Sequence, residues 1–353
     1  MLLKAEKQGE DMNKSQIIIV TNTNDSHADD VVTMLGEMGH EPIRLNTDDI
    51  PQNTMLSLGF ESNSDRWRGA ISVLTNGRRI DVEAIRSIWW RRPSTFGLPI
   101  DLSEREREFA TDEIEHVLQS LWRTLREDCY WISYPEYIRQ ASFKGSQLQQ
   151  AAKLGFEVPR TLITTDPEEA RAFYEMCNGK LIYKVLSDPF LGATKVANKH
   201  PDQPSPAPYG THTTLITESE VALLDSVRAV PCLFQEYVPK QVELRVTVIG
   251  NDIFAAEIYS QEHEKTQVDW RHYDVEIPYR KATLPTEIAE RCLALVKSSR
   301  LNFSTMDLIL TPDGHYVFIE NNPNGQFIFI EHRVPELRMT EALASCLLRA
   351  ANS

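Results

Sequence analysis

The first strand-to-helix loop of this chain contains no glycine. Thr21-Asn22-Thr23-Asn24-Asp25-Ser26 follows the apolar run Ile17-Ile18-Ile19-Val20. Without G-x-G-x-x-G, a pyrophosphate has no close approach to the backbone at that turn. Asn178-Gly179-Lys180 lacks the upstream glycine of a P-loop. Long hydrophobic runs are missing too: no stretch reaches the roughly 18 apolar residues of a membrane span. Met1–Met12 has no apolar core of the kind a secretory signal needs, and residues 1–12 are expected to be a disordered extension. Basic residues are in deficit, 37 Lys and Arg against 51 Asp and Glu, for a net charge of −14. That balance speaks against a nucleic-acid partner, which needs a positive surface. Cysteine is sparse. Cys129, Cys177, Cys232, Cys292 and Cys346 form no C-x-x-C and no zinc spacing, and an odd set of scattered thiols points to a reduced, cytoplasmic protein. No Ser-His-Asp, Cys-His or histidine metal spacing can be argued either.

What is present is a chain of 353 residues, long enough for two or three domains. The fold class expected is mixed α/β and α+β. Asp25 or Ser26 offers an N-cap for a helix reaching about Gly39, and 42–46 reads as a second strand, a Rossmann-like β-α-β start. Residues 54–60 and 70–75 suit a hairpin or edge pair, and Ile88-Trp89-Trp90 a buried strand. Ser103 and Glu106 make a capping box for a helix to about Glu127. These elements delimit an N-terminal α/β domain over 13–135. Ser142 is expected to cap a helix ending at Gly155, with Lys144 in its first turn. A strand over 159–164, a helix from Asp166-Pro167, a strand over 181–186, a strand over 213–217, a helix over 218–230 and a strand over 232–238 then define a domain at 136–235. Residues 187–210 form a long loop with five prolines, and such loops usually move, function or both. The last third, 236–353, holds strands 242–249 and 252–259 joined at Gly250-Asn251. It continues with a helix over 287–300, strands 303–310 and 315–321 joined by Thr311-Pro312-Asp313-Gly314, and a helix over 335–350.

The chemistry concentrates in an ordered set. Asp307 lies in the strand Phe303–Leu310, while Glu320 and Asn322 end the next strand two residues apart, on one face. If the strands pair, three oxygen ligands meet, which suits magnesium between carboxylates and phosphates. Lys184 sits within the apolar run Leu181–Leu186, where its charge is costly unless an anion pairs with it. Lys144 is a second candidate for a phosphate. Gln235-Glu236-Tyr237-Val238 interrupts an apolar strand and could present main-chain groups to an adenine edge. Glu243 could accept ribose hydroxyls, and Arg245, on the same strand face, is a fork for a carboxylate or phosphate.

In this order the set resembles the ATP-grasp family, with an N-terminal Rossmann-like domain ahead of a lid domain (136–235) and a C-terminal domain (236–353) that carries the magnesium and substrate site. Further segments resemble one branch, the microviridin-type (graspetide) peptide macrocyclases. They are Ile17–Asn22 with Asp25-Ser26-His27, Arg44–Asp48, Trp89-Trp90-Arg91-Arg92-Pro93 and Glu320–Gln326. Phe327 and Phe329 depart from that branch, where tryptophan is common. The resemblance implies ATP and Mg2+ as cofactors. It implies Lys144, Lys184, Gln235, Glu236, Tyr237, Val238 and Glu243 around the nucleotide, and Asp307, Glu320 and Asn322 around the metal. Arg245, Asp269 and Arg271, matching an E-x-R and a D-x-R element, would position the acidic side chain and its nucleophile. The implied activity is ATP-dependent closure of rings in a ribosomally made precursor peptide with leader and core, through phosphorylation of Asp or Glu and attack by Thr, Ser or Lys. Segment 257–274 would contact leader or core, and a homodimer is a family expectation. Another ATP-grasp carboxylate-amine ligase, adding glutamate to a protein or joining amino acids, shares the nucleotide residues. A nucleotide-binding regulator without catalysis is a third reading, against which the intact Asp307, Glu320 and Asn322 set speaks.

Overall fold

The computed structural model describes residues 16–125, 127–187, 190–191, 209–210, 213–272 and 274–352. Within them the chain divides into two compact units, one ending at Tyr134 but taking in the chain from Thr340, the other spanning Pro135–Met339.

In the first unit, β1 (Gln16–Thr21) is almost wholly buried, as expected of a β-branched run in the middle of a parallel sheet. The sheet order is β2 (Ile43–Asn46), β1, β6 (Ile85–Trp90), β7 (Tyr130–Ile132), all parallel. The expected hairpin is part of a three-stranded antiparallel sheet of β3 (Thr54–Gly59), β4 (Arg68–Val73) and β5 (Arg78–Asp81), whose third strand the sequence did not reveal. Helix α1 (Ser26–Glu37) starts after Asp25, yet Asp25 makes no side-chain cap. Its carboxylate instead accepts the Thr21 hydroxyl at 2.6 Å and lies 3.4 Å from the Arg91 guanidinium, which is 1% exposed. Burial lowers the Arg91 pKa to about 10 although Asp25 opposes it. Side chains therefore order the glycine-free loop. Helix α2 (Glu104–Leu125) has the expected box, with Ser103 N–H and hydroxyl donating to Glu106 at 2.8 and 2.6 Å. Trp122 on its buried face meets Trp90 and Trp131 edge-on, each at 5.9 Å.

The second unit opens with α3 (Pro135–Ala141) and α4 (Lys144–Lys153). Ser142 does not cap α4. Its hydroxyl donates back to the Ile138 carbonyl at 2.8 Å, closing α3, and Phe143 takes the N-cap position. Next comes a four-stranded antiparallel sheet in the order β12-β9-β13-β8, formed by β8 (Thr161–Thr164), β9 (Leu181–Lys184), β12 (Thr214–Ile216) and β13 (Cys232–Glu236). Helix α5 (Pro167–Met176), capped by Asp166 accepting from Glu168 N–H at 2.9 Å, covers one face. The expected helix over 218–230 is interrupted. It is a four-residue α6 (Glu218–Val221) followed by a 3-10 turn, Leu224–Ala229. Most of the long loop at 187–210 lies outside the described residues. Within it, β10 (Phe190–Leu191) and β11 (Tyr209–Gly210) pair antiparallel.

A five-stranded antiparallel sheet follows, ordered β16-β15-β14-β17-β18, from β14 (Val242–Ile249), β15 (Asp252–Ile258), β16 (Tyr279–Lys281), β17 (Phe303–Leu310) and β18 (Tyr316–Asn322). Gly250 supplies the positive φ of +59° that the β14–β15 turn needs. Val246, Val248, Met306, Leu308 and Phe318 pack on α4 and on α7 (Thr286–Ser298) in one continuous core. Helix α8 (Ile328–Arg333), absent from the sequence reading, follows Phe327. The terminal helix expected over 335–350 is a 3-10 turn, Pro335–Leu337, then α9 (Met339–Asn352), separated by Arg338 in a left-handed conformation. From Thr340 onward that helix groups with the first unit, whereas division by sequence kept it within 236–353. There the Tyr130 hydroxyl lies 3.1 Å from Cys346 Sγ. Among the described residues no helix is long and apolar enough to cross a membrane.

Candidate active site

Alternation along β13 gives the four-stranded sheet two chemically distinct faces. Cys232 and Phe234 pack with Leu181, Ala170 and Phe173 beneath α5. Leu233 and Gln235 point the other way, paired with Lys184 and Ile182 of β9. That face walls a cleft of about 520 Å3, including its open mouth, lined also by Tyr237, Val238, Glu243, Asp269, Arg271 and Asp307. Nine of the thirteen residues singled out from sequence thus border one cavity, and the other four adjoin it through hydrogen bonds or ion pairs.

Lys184 enters the cleft from a strand whose other residues are apolar. Burial lowers its pKa from 10.5 to about 8. Glu320 opposes the fall, while Arg271, Lys144 and Lys240 add to it. An anionic ligand here would remove that penalty. Lys144 begins α4 and donates to the Val185 carbonyl at 2.7 Å, with its Nζ 3.6 Å from Glu320.

The carboxylates come from strand register. Arg245 on β14 pairs with Asp307 on β17, and Asp307 with Glu320 on β18, so the three lie in a line across the sheet. A register shift after Asp307 marks a local bulge, a device that re-aims a side chain. Arg245, 6% exposed, donates to Asp307 Oδ1 at 2.7 Å and to the Gln326 carbonyl at 2.8 Å. Arg271 Nη2 bridges Asp307 Oδ2 and Glu320 Oε1, each at 3.1 Å. Asn322 Nδ2 reaches the same Glu320 oxygen at 2.9 Å. Burial alone would raise the Glu320 pKa. Arg271, Lys144 and Lys184 together outweigh burial and hold it well below the ordinary carboxylate range.

Gly325 makes this approach feasible. A β-carbon there would stand 1.9 Å from Thr305 Oγ1 and 2.9 Å from Arg245 Nη2. Behind β18, Gln147 of α4 donates to the Asn321 carbonyl at 2.7 Å, and Asn321 N–H returns a bond to its Oε1 at 3.1 Å. Ser304 donates to the Asn321 side chain at 2.6 Å. The acid-bearing strand end is therefore clamped from two sides.

The hinge, residues 235–238 at the end of β13, has two of its main-chain donors already engaged. The Glu236 carboxylate is tied to Arg160, which donates through Nε at 2.6 Å and through its main chain at 2.8 Å. The N–H groups of Glu236 and Tyr237 are taken by the Arg160 and Lys180 carbonyls, at 3.0 and 2.8 Å. Glu243, the expected ribose acceptor, is paired with Lys240 Nζ at 2.9 Å, and Lys240 also donates to the Val268 carbonyl at 2.8 Å. Burial raises the Glu243 pKa, with Lys240 opposing. Lys240 was missed in the sequence because it stands among polar residues and breaks no apolar run.

Segment 257–274 is tied down by buried polar groups. Thr266 and Ser260 are fully buried, and the Thr266 hydroxyl donates to the Ser260 carbonyl at 2.6 Å. Asp269 accepts from Thr213 N–H at 2.9 Å and Arg271 N–H at 3.1 Å. Trp270 stacks on Phe329 at 5.4 Å with an 18° interplanar angle. Phe327, wholly buried, packs on Phe303 at 5.6 Å. Phe329 thus backs Trp270, which lines the cleft.

Among the described residues no group of three or more His, Cys, Asp and Glu side chains is disposed to hold a metal. The donors that fit are two carboxylates and an amide. Asp307 and Glu320 already converge on one cationic nitrogen of Arg271, with Asn322 alongside. A hard divalent ion takes carboxylate and amide oxygens, and Asn322, which turns its Nδ2 to Glu320, would bring its Oδ1 to such an ion by an amide flip.

Residues 16–139 match the family model of the MvdD pre-ATP grasp domain. No curated protein matches the chain. Among solved structures, the chain is similar to macrocyclase MdnC from Microcystis aeruginosa MRC, bound with precursor peptide MdnA, at 26% identity and TM-score 0.80, over 95% of this chain and 100% of that one. It is similar to a RiPP-associated ATP-grasp ligase from Chryseobacterium gregarium, in complex with ADP and a leader and core peptide, at 27% identity and TM-score 0.83, over 95% and 97%. Macrocyclase MdnB of the same Microcystis strain gives 27% identity and TM-score 0.74, over 95% and 99%. The fold is ATP-grasp preceded by a pre-ATP-grasp domain.

Proposed function

Taking the chain as an ATP-grasp ligase of the graspetide maturase family, we propose that it macrocyclises a ribosomally made precursor peptide. It does so by phosphorylating Asp or Glu side chains and joining them to Thr or Ser hydroxyls as esters, or to Lys amines as amides. The observation that carries this reading is the line Arg245–Asp307–Glu320, bridged by Arg271, which meets the cleft that holds Lys184 at Asp307 and Arg271. It juxtaposes forks for a substrate carboxylate, acids for a cation and a buried lysine for a phosphate.

The division of labour proposed within the second unit follows from this. The β12-β9-β13-β8 sheet, in 136–235, acts as the lid that covers ATP. The larger sheet, from 236 onward, carries the metal and peptide sites. Lys144 and Lys184 hold ATP phosphates, as point charges that need no fixed geometry. Main chain at Gln235, Glu236, Tyr237 and Val238 meets the base, and Glu243, once parted from Lys240, meets the ribose. Asp307, Glu320 and Asn322 would hold magnesium, whose charge would offset that of the phosphate oxygens.

Arg245 and Arg271 orient the peptide carboxylate for attack on the γ-phosphorus. An acyl-phosphate forms and ADP departs. A hydroxyl oxygen or amine nitrogen of the same peptide then attacks the carbonyl carbon, the C–O bond to phosphate breaks, and inorganic phosphate leaves with the proton. Asp269 keeps Arg271 in place, bonded to its main chain and 3.7 Å from its guanidinium. Exclusion of water protects the acyl-phosphate, and holding both groups on one peptide supplies effective molarity. The reading also makes the protein cytoplasmic, where its thiols stay reduced, and homodimeric, which sedimentation would check.

The test is ADP formation with the separate substrates. A leader-bearing peptide rich in Thr and Asp or Glu should drive it, whereas free glutamate or other amino acids should not. The opposite pattern supports the general carboxylate-amine ligase.

A further inference from the structure

We propose that Thr161 is a positioning residue that makes the cleft select a 6-aminopurine over a 6-oxopurine, by locking the side-chain amide of Gln235. The proposal rests on the reading of this cleft as a nucleotide site.

Gln235 stands directly opposite Thr161 on β8 and opposite Ile182 on β9. It is 2% exposed and lies on the cleft wall beside Ile182, Tyr237 and Val238. Its amide has two ends of opposite chemistry, a donor NH2 and an acceptor oxygen. Thr161 decides which end faces where. The Thr161 hydroxyl donates its only hydrogen to the Pro159 carbonyl at 2.9 Å. Only its lone pairs then remain for Gln235, so Nε2 turns toward it and donates at 3.0 Å. A flipped amide would set Oε1 against those lone pairs, acceptor against acceptor.

Oε1 is left buried without a hydrogen-bond partner in the wall. A buried acceptor of this kind is complemented by a donor. Adenine brings an exocyclic amine at position 6. Hypoxanthine and guanine bring an oxygen there, which Oε1 repels. Main-chain groups of the hinge contribute to recognition in every variant alike, so the side-chain share can be isolated.

The test uses the full chain without peptide and measures Kd for ADP and IDP, a pair that differs at position 6 without the 2-amino group of guanine. The variants are T161V, which removes the acceptor while keeping the shape, T161S, which restores it, and Q235M. Wild type should prefer ADP by on the order of 100-fold. T161V and Q235M should shrink that ratio about tenfold or more, and T161S should restore it. Being a ratio, it is unaffected by the fraction of protein that is folded. An unchanged ratio in T161V, or no preference in wild type, overturns the proposal. Selective ADP binding with no peptide condensation would overturn the ligase reading and leave this one standing. No binding of either nucleotide would overturn both.

Discussion

Lys184 should cost the protein stability for the sake of its ligand. Its pKa falls from 10.5 to about 8 on folding, through burial and the neighbouring Arg271, Lys144 and Lys240, net of the attraction to Glu320. Such a fall corresponds to about 3 kcal/mol in favour of the unfolded chain. The sign follows from proton counts. Between pH 8 and 10.5 the unfolded chain holds the proton and the folded one does not, so stability rises with pH across that window. Below about pH 8 the penalty is complete and constant. Lys184→Met keeps the aliphatic stem and removes the charge. At pH 7, without nucleotide, the variant should be more stable than wild type by about 1–3 kcal/mol, the upper figure being the whole titration penalty. The difference should vanish near pH 10.5. ADP should raise the urea midpoint of wild type by more than that of the variant, since the stabilisation scales with affinity and the variant lacks one phosphate contact. Equal or lower stability of Lys184→Met at pH 7, or a difference that ignores pH, would refute the argument.

Other outcomes follow from the same geometry. Asp307→Ala and Glu320→Ala should each abolish ADP formation while circular dichroism stays native. Full activity in either would sink the magnesium assignment. Asp307→Ala should also destabilise the second unit by about 3–5 kcal/mol, because Arg245 is left as a buried charge without its carboxylate. A double-mutant cycle with Arg245→Ala reads this directly. Gly325→Ala should lower stability by at least about 2 kcal/mol and reduce ADP formation, because the new carbon collides with Thr305 Oγ1. Trimming Thr305 to Ala in the same chain should recover part of the loss. Nucleotide affinity of wild type should fall as pH rises above about 8, where Lys184 loses its proton, and isothermal titration across pH 7 to 9 would detect proton uptake on binding.

Much of the site was legible because it breaks rules of burial. A lysine inside an apolar strand, acids that interrupt buried strands and a Gln-Glu pair in an apolar run all contradict their surroundings. Each contradiction points to a ligand or a partner. Asp307 and Glu320 could be paired in advance because the turn at 311–314 fixes the hairpin, and the register confirms them as cross-strand neighbours. What stayed hidden depends on tertiary context. Lys240 and Arg160 are ordinary surface residues by sequence, yet they neutralise Glu243 and Glu236. Ser142 satisfies a capping preference, but α3 immediately before it offered its hydroxyl a carbonyl. The helix expected over 218–230 is broken at Leu223, where no proline or glycine announces it. Thr161 carried no signal at all, since its part is visible only once β8 lies beside β13.

The most direct measurement is the intact mass of a leader-bearing precursor peptide, rich in Thr and Asp or Glu, after incubation with this protein, ATP and magnesium. The account predicts a loss of one water per ring, dependent on ATP, with methanolysis then separating esters from amides. An unchanged peptide mass while ATP is consumed with free amino acids would contradict macrocyclisation and place the chain among the general ATP-grasp ligases.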